Sequence, residues 1–262
     1  MNLLTIVIPC FNEFESLPLL IKNLEKINNK INFLIVDNGS KDSSRNYLES
    51  IEEDLNKNIS IFYIDLNQGY GNGVYKGLNN LKNSKFIGWV HGDLQFEFSK
   101  LNNVYEKLSL LENSKEKIIY KGTRKGRGYL DSFFSFSMGL IASLILGKKM
   151  YEINAQPTIF SNSLIDILDD PPLDFSFDTY VYWKALDNNY KLIRDSFLFP
   201  PRQYGESKWN FGLKTRLLFS YSLIKYFFKL NFFIIYFICP IKCIITYNNY
   251  IQYSIFIFSY FA

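Results

Sequence analysis

Short apolar runs alternate with stretches in which apolar residues recur every three or four positions, and the alternation runs through most of the chain. Leu3 to Ile8 is a compact, largely β-branched run that Pro9 closes. Ser16 then opens a helical pattern through Leu17, Leu20, Ile21, Leu24 and Ile27. Ile31 to Val36 reads as a second strand, followed by a helix through Tyr47, Leu48 and Ile51. Ile59 to Ile64 is a third strand, with a helix through Val74, Leu78 and Leu81, and Phe86 to Val90 a fourth. Strands alternating with helical patterns predict an α/β fold, a mostly parallel sheet flanked by helices.

Further along, Ile118 to Tyr120 reads as a strand and Ser132 to Gly147 as a charge-free helix. Asn154 to Phe160 reads as a turn and short strand, Phe175 to Leu186 as a helix, and Leu192 to Leu198 as a last strand. From Leu217 the chain is very apolar. Cys243 to Ala262 carries no charge over about 20 residues, roughly the minimum that crosses a bilayer. Two domains are expected: residues 1–212 form the α/β unit, and 213–262 an apolar, basic, helical tail associated with a membrane.

Composition agrees with a packed core: 48% of the 262 residues are hydrophobic and 21% charged, which argues against global disorder. The net charge of +4 is unevenly spread, because no Asp or Glu follows Glu206 while Lys208, Lys214, Arg216, Lys225, Lys229 and Lys242 do. A basic end rich in aromatics suits an anionic membrane surface rather than nucleic acid. The N-terminus enters a strand-like run with no basic leader pattern, so no signal peptide is expected. Cys10, Cys239 and Cys243 make no disulfide framework and read as reduced thiols of a cytosolic protein.

The chemistry-bearing residues gather where strands end. Asp37 closes the second strand and Asp42 follows in its Gly-Ser loop, positions from which carboxylates reach a base or ribose, or cap the next helix. Gly69, Gly71 and Gly73 follow the third strand without forming GxGxxG, which disfavours a dinucleotide site. They either admit a ligand close to the backbone or shape a tight turn. The fourth strand ends in His91-Gly92-Asp93-Leu94-Gln95, an acid and an amide suited to a hard divalent cation shared with substrate phosphates. Arg124, Lys125 and Arg127 form one small basic loop, and Arg202, Lys208 and Trp209 another.

In order, Val7-Ile8-Pro9-Cys10-Phe11-Asn12-Glu13, Ile35-Val36-Asp37-Asn38-Gly39-Ser40-Lys41-Asp42, Asn67-Gln68-Gly69-Tyr70-Gly71 and His91-Gly92-Asp93-Leu94-Gln95 resemble the motifs of family 2 glycosyltransferases with the GT-A fold. The likeness is strongest to the dolichyl-phosphate mannose synthase-like branch, whose fourth motif is Asp-Ala-Asp-Leu-Gln. That branch also carries a later Arg-x-x-Gly-x-Ser-Lys, matched here by Arg202 to Lys208. The resemblance implies a UDP- or GDP-sugar donor, Mg²⁺ or Mn²⁺, and transfer with inversion to a membrane-associated acceptor, polyprenyl phosphate foremost, at the cytoplasmic face of the cell membrane. By similarity, Pro9, Asn12, Glu13, Asp37, Gly39, Ser40, Asp42, Gly69 and Gly71 bind the nucleotide-sugar, and Asp93 and Gln95 bind the metal. Asp93, Asp178 and Arg202 carry catalysis, while Arg124, Ser207 and Lys208 handle diphosphate or the acceptor phosphate.

Two positions depart from the branch. His91 stands where the branch has its first acid; it either ligates the metal as a neutral imidazole or packs at the strand end. Met138 stands near the branch's arginine for the acceptor phosphate. The alternatives that follow are transfer to a saccharide or lipid-linked glycan, with Asp178 as base, or a catalytically silent nucleotide-sugar-binding protein.

Overall fold

The computed structural model describes residues 2–81 and 83–199 and the helix over 212–238, whose side chains are described over 218–231. Seven strands form one sheet in the order β3-β2-β1-β4-β6-β5-β7. They are β1 (Asn2–Cys10), β2 (Ile31–Asn38), β3 (Ile59–Ile64), β4 (Ser84–Trp89), β5 (Ile118–Lys125), β6 (Thr158–Ser161) and β7 (Lys191–Leu198). β6 is antiparallel to both β4 and β5, and every other neighbouring pair is parallel. The expected mostly parallel sheet is therefore present, with one reversed strand near its middle.

The helices are α1 (Leu17–Leu24), α2 (Ser44–Ile51), α3 (Tyr70–Asn79), α4 (Leu101–Ser109), α5 (Tyr129–Leu146), α6 (Ser176–Asp187) and α7 (Gly212–Ile238). α4 escaped the sequence reading, although Leu101, Val104 and Leu108 carry the right spacing and are buried. α5 begins three residues before the expected Ser132, so that Asp131 falls in its first turn, and Gly147 ends it with φ +66°. A left-handed terminal residue is the usual way to close a helix, and glycine adopts it without strain.

Strand periodicity of two sorts the core into two layers. On β1 and β2, Leu4, Ile6, Ile8, Ile31, Phe33 and Ile35 face one layer, packed with α1 and α4. Val7, Leu34 and Val36 face the other, shared with α3, α5, α6 and α7. Burial on both faces explains why these strands read as continuous apolar runs rather than alternating ones. α7 joins the second layer through Leu223, Phe227 and Leu230, spaced by four and three residues and all buried. The expected membrane segment Cys243 to Ala262, with Cys239, lies outside the described residues.

Candidate active site

Six of the seven strands point the same way, so the ends of β1 and β4 open on a common edge of the sheet. A cavity of about 600 Å³ lies there. Its polar side is built from strand ends: Pro9 near the end of β1 with Asn12 and Glu13 after it, Asn38 at the end of β2, Asn67 after β3, and His91, Asp93 and Gln95 after β4. Its mostly apolar side comes from elsewhere in the chain: Phe134 and Met138 on α5 and Phe219 and Leu223 on α7, with Asp131, Ser135 and Ser220 of the same helices among them. Arg124, Arg127 and Asp178 also line it.

The β4 turn is held in an unusual conformation. Leu94 has φ +59°, a left-handed region that costs a non-glycine residue about 1 kcal/mol. The turn lets the Asp93 Oδ1 accept the Gln95 backbone N–H at 3.2 Å and leaves both side chains on the cavity wall. Asp93 is buried, yet no group of three or more acids, histidines or cysteines able to hold a metal exists among the described residues. One buried carboxylate with one amide is the donor set of a hard cation that takes its other oxygens from a diphosphate and water. By that chemistry Asp93 and Gln95 fit a shared Mg²⁺ or Mn²⁺.

His91 is fixed at both ends. Its backbone N–H donates to Gln156 Oε1 at 2.6 Å, and its Nε2 lies 2.8 Å from the Tyr70 hydroxyl. Tyr70 donates in turn to Asp178 Oδ1 at 3.2 Å, and its ring stacks on Phe175 at 4.8 Å. With the phenol proton given to Asp178, the Tyr70 oxygen is left to accept from His91 Nε2.

Burial pushes the Asp178 carboxyl up from its ordinary value, opposed chiefly by the charge of Lys121. Lys121 is itself fully buried on β5, donating to Thr158 Oγ1 at 2.7 Å. Burial lowers its ammonium to about 7. Burial and then the Asp178 charge push the Tyr70 phenol well up. Burial also raises the Cys10 thiol, with Glu13, Asp37 and Asp93 adding to it, so Cys10 is an inert thiol on the cavity wall.

Several expected site residues stand behind the cavity wall. Asp37 is fully buried, accepts the Ser40 N–H at 3.1 Å and pairs with Arg45 Nε at 2.7 Å. Asp42 accepts the Ser44 N–H at 2.9 Å, a helix-entry turn. Ser40 Oγ accepts the Asn12 N–H at 3.0 Å, and Asn12 Oδ1 accepts the Lys41 N–H at 2.8 Å, so the β1 and β2 loops brace each other beside Gly39. Gly69, at φ +118°, and Gly71 meet the chain's own backbone: a Cβ on either would come within 2.3 Å of the Leu173 or Pro172 carbonyl oxygen. Their role in this geometry is to let segment 172–174 close over α3. Arg124 pairs with Glu152 at 2.7 Å and shares Ser135 Oγ with Arg127. Arg202, Ser207 and Lys208 lie outside the described residues.

Sequence reading assigned no role to Gln156, which positions His91, to Asn38 and Asn154 on the wall, or to the contribution of α7. Gln156 carried a faint signal, a polar residue just before Pro157 at a strand start. The α7 contribution carried none, since residues some 200 positions apart that line one cavity leave no local pattern.

The sheet order, the reversed β6 and the cavity at the strand ends together define a GT-A architecture. The same fold is found in a mannosyltransferase of Pyrobaculum calidifontis solved with GDP-Man and Mn²⁺ (TM-score 0.55, 13% identical, covering 77% of this chain and 58% of that one). It is also found in glucosyl-3-phosphoglycerate synthase of Mycobacterium tuberculosis solved with Mn²⁺, UDP and glucosyl-3-phosphoglycerate (TM-score 0.58, 14% identical, 85% and 77%). The chain belongs to glycosyl transferase family 2, whose family model matches residues 5–138. Curated relatives include an undecaprenyl-phosphate 4-deoxy-4-formamido-L-arabinose transferase of Proteus mirabilis, 24% identical over 229 residues, covering 84% of this chain and 66% of that protein. An uncharacterised protein of Methanocaldococcus jannaschii is 27% identical over 153 residues, covering 55% of this chain and 64% of the other. The chain thus spans just under two thirds of the length of these curated relatives.

Proposed function

We propose that this chain is an inverting glycosyltransferase that moves a sugar from a UDP- or GDP-sugar to a membrane-associated acceptor, polyprenyl phosphate foremost, at the cytoplasmic face of the membrane. The observation that carries the reading is the mixed lining of the cavity, with polar groups from the strand ends and Phe134, Met138, Phe219 and Leu223 from α5 and α7. A nucleotide-sugar suits the first set and a lipid-linked acceptor the second. The reading is supported by the undecaprenyl-phosphate transferase relatives and by the nucleotide-sugar and Mn²⁺ complexes of proteins with this fold.

Asp93 and Gln95 would hold Mg²⁺ or Mn²⁺, which when bound offsets the charge growing on the leaving diphosphate. Pro9, Asn12, Glu13 and Asp37, with the Gly39-Ser40, Asp42 and Gly69-Gly71 loops, shape and brace the nucleotide end. Arg124, fixed by Glu152 and Ser135, and Arg202, Ser207 and Lys208 supply positive charge or donors for diphosphate and acceptor phosphate. The acceptor oxygen attacks the anomeric carbon on the face opposite the leaving group. A phosphate acceptor is already ionised and needs no base.

A second acceptor class has its own support. Met138 brings no charge to the apolar wall, and Asp178, with its raised carboxyl pKa, suits a general base for a sugar hydroxyl. The test is nucleotide release from a panel of UDP- and GDP-sugars with Mg²⁺ or Mn²⁺, supplied in turn with polyprenyl phosphate and with oligosaccharides. Release that depends on both metal and polyprenyl phosphate is expected. Release with oligosaccharide alone selects the glycan reading. Tight nucleotide binding with no turnover on any donor and acceptor leaves a silent binding protein.

A further inference from the structure

We infer that the outer face of α5, continued by the outer face of α7, is a membrane-docking surface for anionic lipid, belonging to the catalytic unit itself. This extends the lipid-acceptor reading above, but its observations are separate. Tyr129, Phe133, Phe136, Leu140 and Leu144 follow one another at spacings of four, three, four and four residues, which puts them on one stripe of α5. All five are exposed, from 50% for Leu140 to 85% for Tyr129. Nine of the sixteen large hydrophobic side chains exposed among the described residues stand on these two helices, six on α5 and three on α7. Scattered exposed apolar residues are ordinary on a soluble protein, whereas a contiguous stripe marks an interaction surface.

α5 is long and apolar enough to cross a bilayer, but its packing on the domain argues against insertion. Gly139, Ala142 and Leu146 are buried in the domain, and Ser143 Oγ bonds both the Gly139 carbonyl at 2.7 Å and the Met150 carbonyl at 2.9 Å. Ser135, on the inner side, holds Arg124 and Arg127. Inserting the whole helix would strip two arginines of these bonds, whereas laying it flat buries only the outer stripe.

The partner is identified by charge. No exposed residue of α5 is charged, and the exposed charges of the described part of α7 are Lys225 and Lys229, beside Leu218, Tyr221 and Phe228. Lys125 and Lys149 are exposed at the two ends of α5. Apolar side chains rimmed by lysine match a surface of anionic headgroups over acyl chains. The inner faces of the same helices line the cavity, so docking would bring the apolar side of the site against the membrane.

The experiment uses the full chain and vesicles of phosphatidylcholine with and without phosphatidylglycerol. Flotation of a Phe136→Ser, Leu140→Ser, Leu144→Ser variant is expected to show a partition coefficient at least tenfold below wild type. Lys225→Gln with Lys229→Gln should weaken binding to the phosphatidylglycerol vesicles severalfold and leave phosphatidylcholine binding unchanged. Brominated lipid should quench a Phe136→Trp variant beyond the wild-type signal, while Leu110→Trp, just past the end of α4 across the sheet, should gain no quenching. Unchanged partition of the triple variant overturns the proposal and leaves the chain after 238 as the anchor. Dimers without lipid that the triple variant abolishes overturn it in favour of a second copy of this chain. Donor nucleotide release in detergent reads the reaction independently: preserved in the triple variant, it shows an intact fold and leaves the proposed function standing whichever way docking falls.

Discussion

The two sides of the cavity are made in opposite ways. The polar side is assembled from strand–loop–helix units, each specified within about a dozen residues: a buried run, a polar turn and a cap. The apolar side comes from α5 and α7, separated by three strands or helices and a long connection, and their inner faces are set by packing on α3, α6 and each other. Chemistry on the first side is concentrated in single groups such as Asp93. On the second it is spread over many side chains with weak individual effects. Substitutions should therefore act sharply on one side and gradually on the other.

The largest effect is expected on the polar side. Asp93→Ala removes the one carboxylate of the β4 turn and should lower metal-dependent nucleotide release by roughly 10²–10³, on the scale of losing a transition-state charge contact. Turnover that Asp93→Ala leaves intact would sink the metal assignment. Phe227→Ala, at a fully buried position of α7, should cost about 3–5 kcal/mol of stability, read as a lowered midpoint in denaturant. If the loss is under about 1 kcal/mol, α7 is not part of the core in solution.

Tyr70→Phe keeps the stack on Phe175 and removes the bond to Asp178. A loss of about tenfold with a hydroxyl acceptor and little change with polyprenyl phosphate would follow from Asp178 acting as base. Lys121→Met sharpens the same point by pH. The Lys121 charge holds the Asp178 carboxyl down, so its removal should move the acid limb of a hydroxyl-acceptor profile to higher pH. Stability gives a second readout. The folded chain holds the Lys121 ammonium near 7, below its ordinary 10.5, so between those values the unfolded chain binds the extra proton. Wild-type stability should thus rise with pH across that window, and the variant should lose this rise. The smallest effect is expected of Met138→Ser on the apolar side, a few-fold rise in KM for polyprenyl phosphate with donor hydrolysis unchanged. An equal change in both would place Met138 in the donor site.

Much of the first side was legible in the chain. Leu3 to Pro9, Ile31 to Val36 and Phe86 to Val90 are runs that only buried strands explain, and they were found close to where they stand. His91, Asp93 and Gln95 were placed at the end of such a run. What lay beyond reading was which loop residues face the cavity. Asp37 looked like a ligand-binding acid, but Arg45 reaches it from the first turn of α2. Gly69 and Gly71 looked open to a ligand, but segment 172–174 occupies that space.

The ordered motifs, the α/β alternation and the family follow from local sequence, because a strand, its turn and the next helix cap are decided by neighbours in the chain. The brace of Asp37, the Tyr70 link between His91 and Asp178, the buried Lys121 and the apolar wall exist only once distant segments meet. Each of these depends on burial and on contacts across many tens of residues, and a group's pKa and partners are properties of the space around it rather than of its place in the sequence.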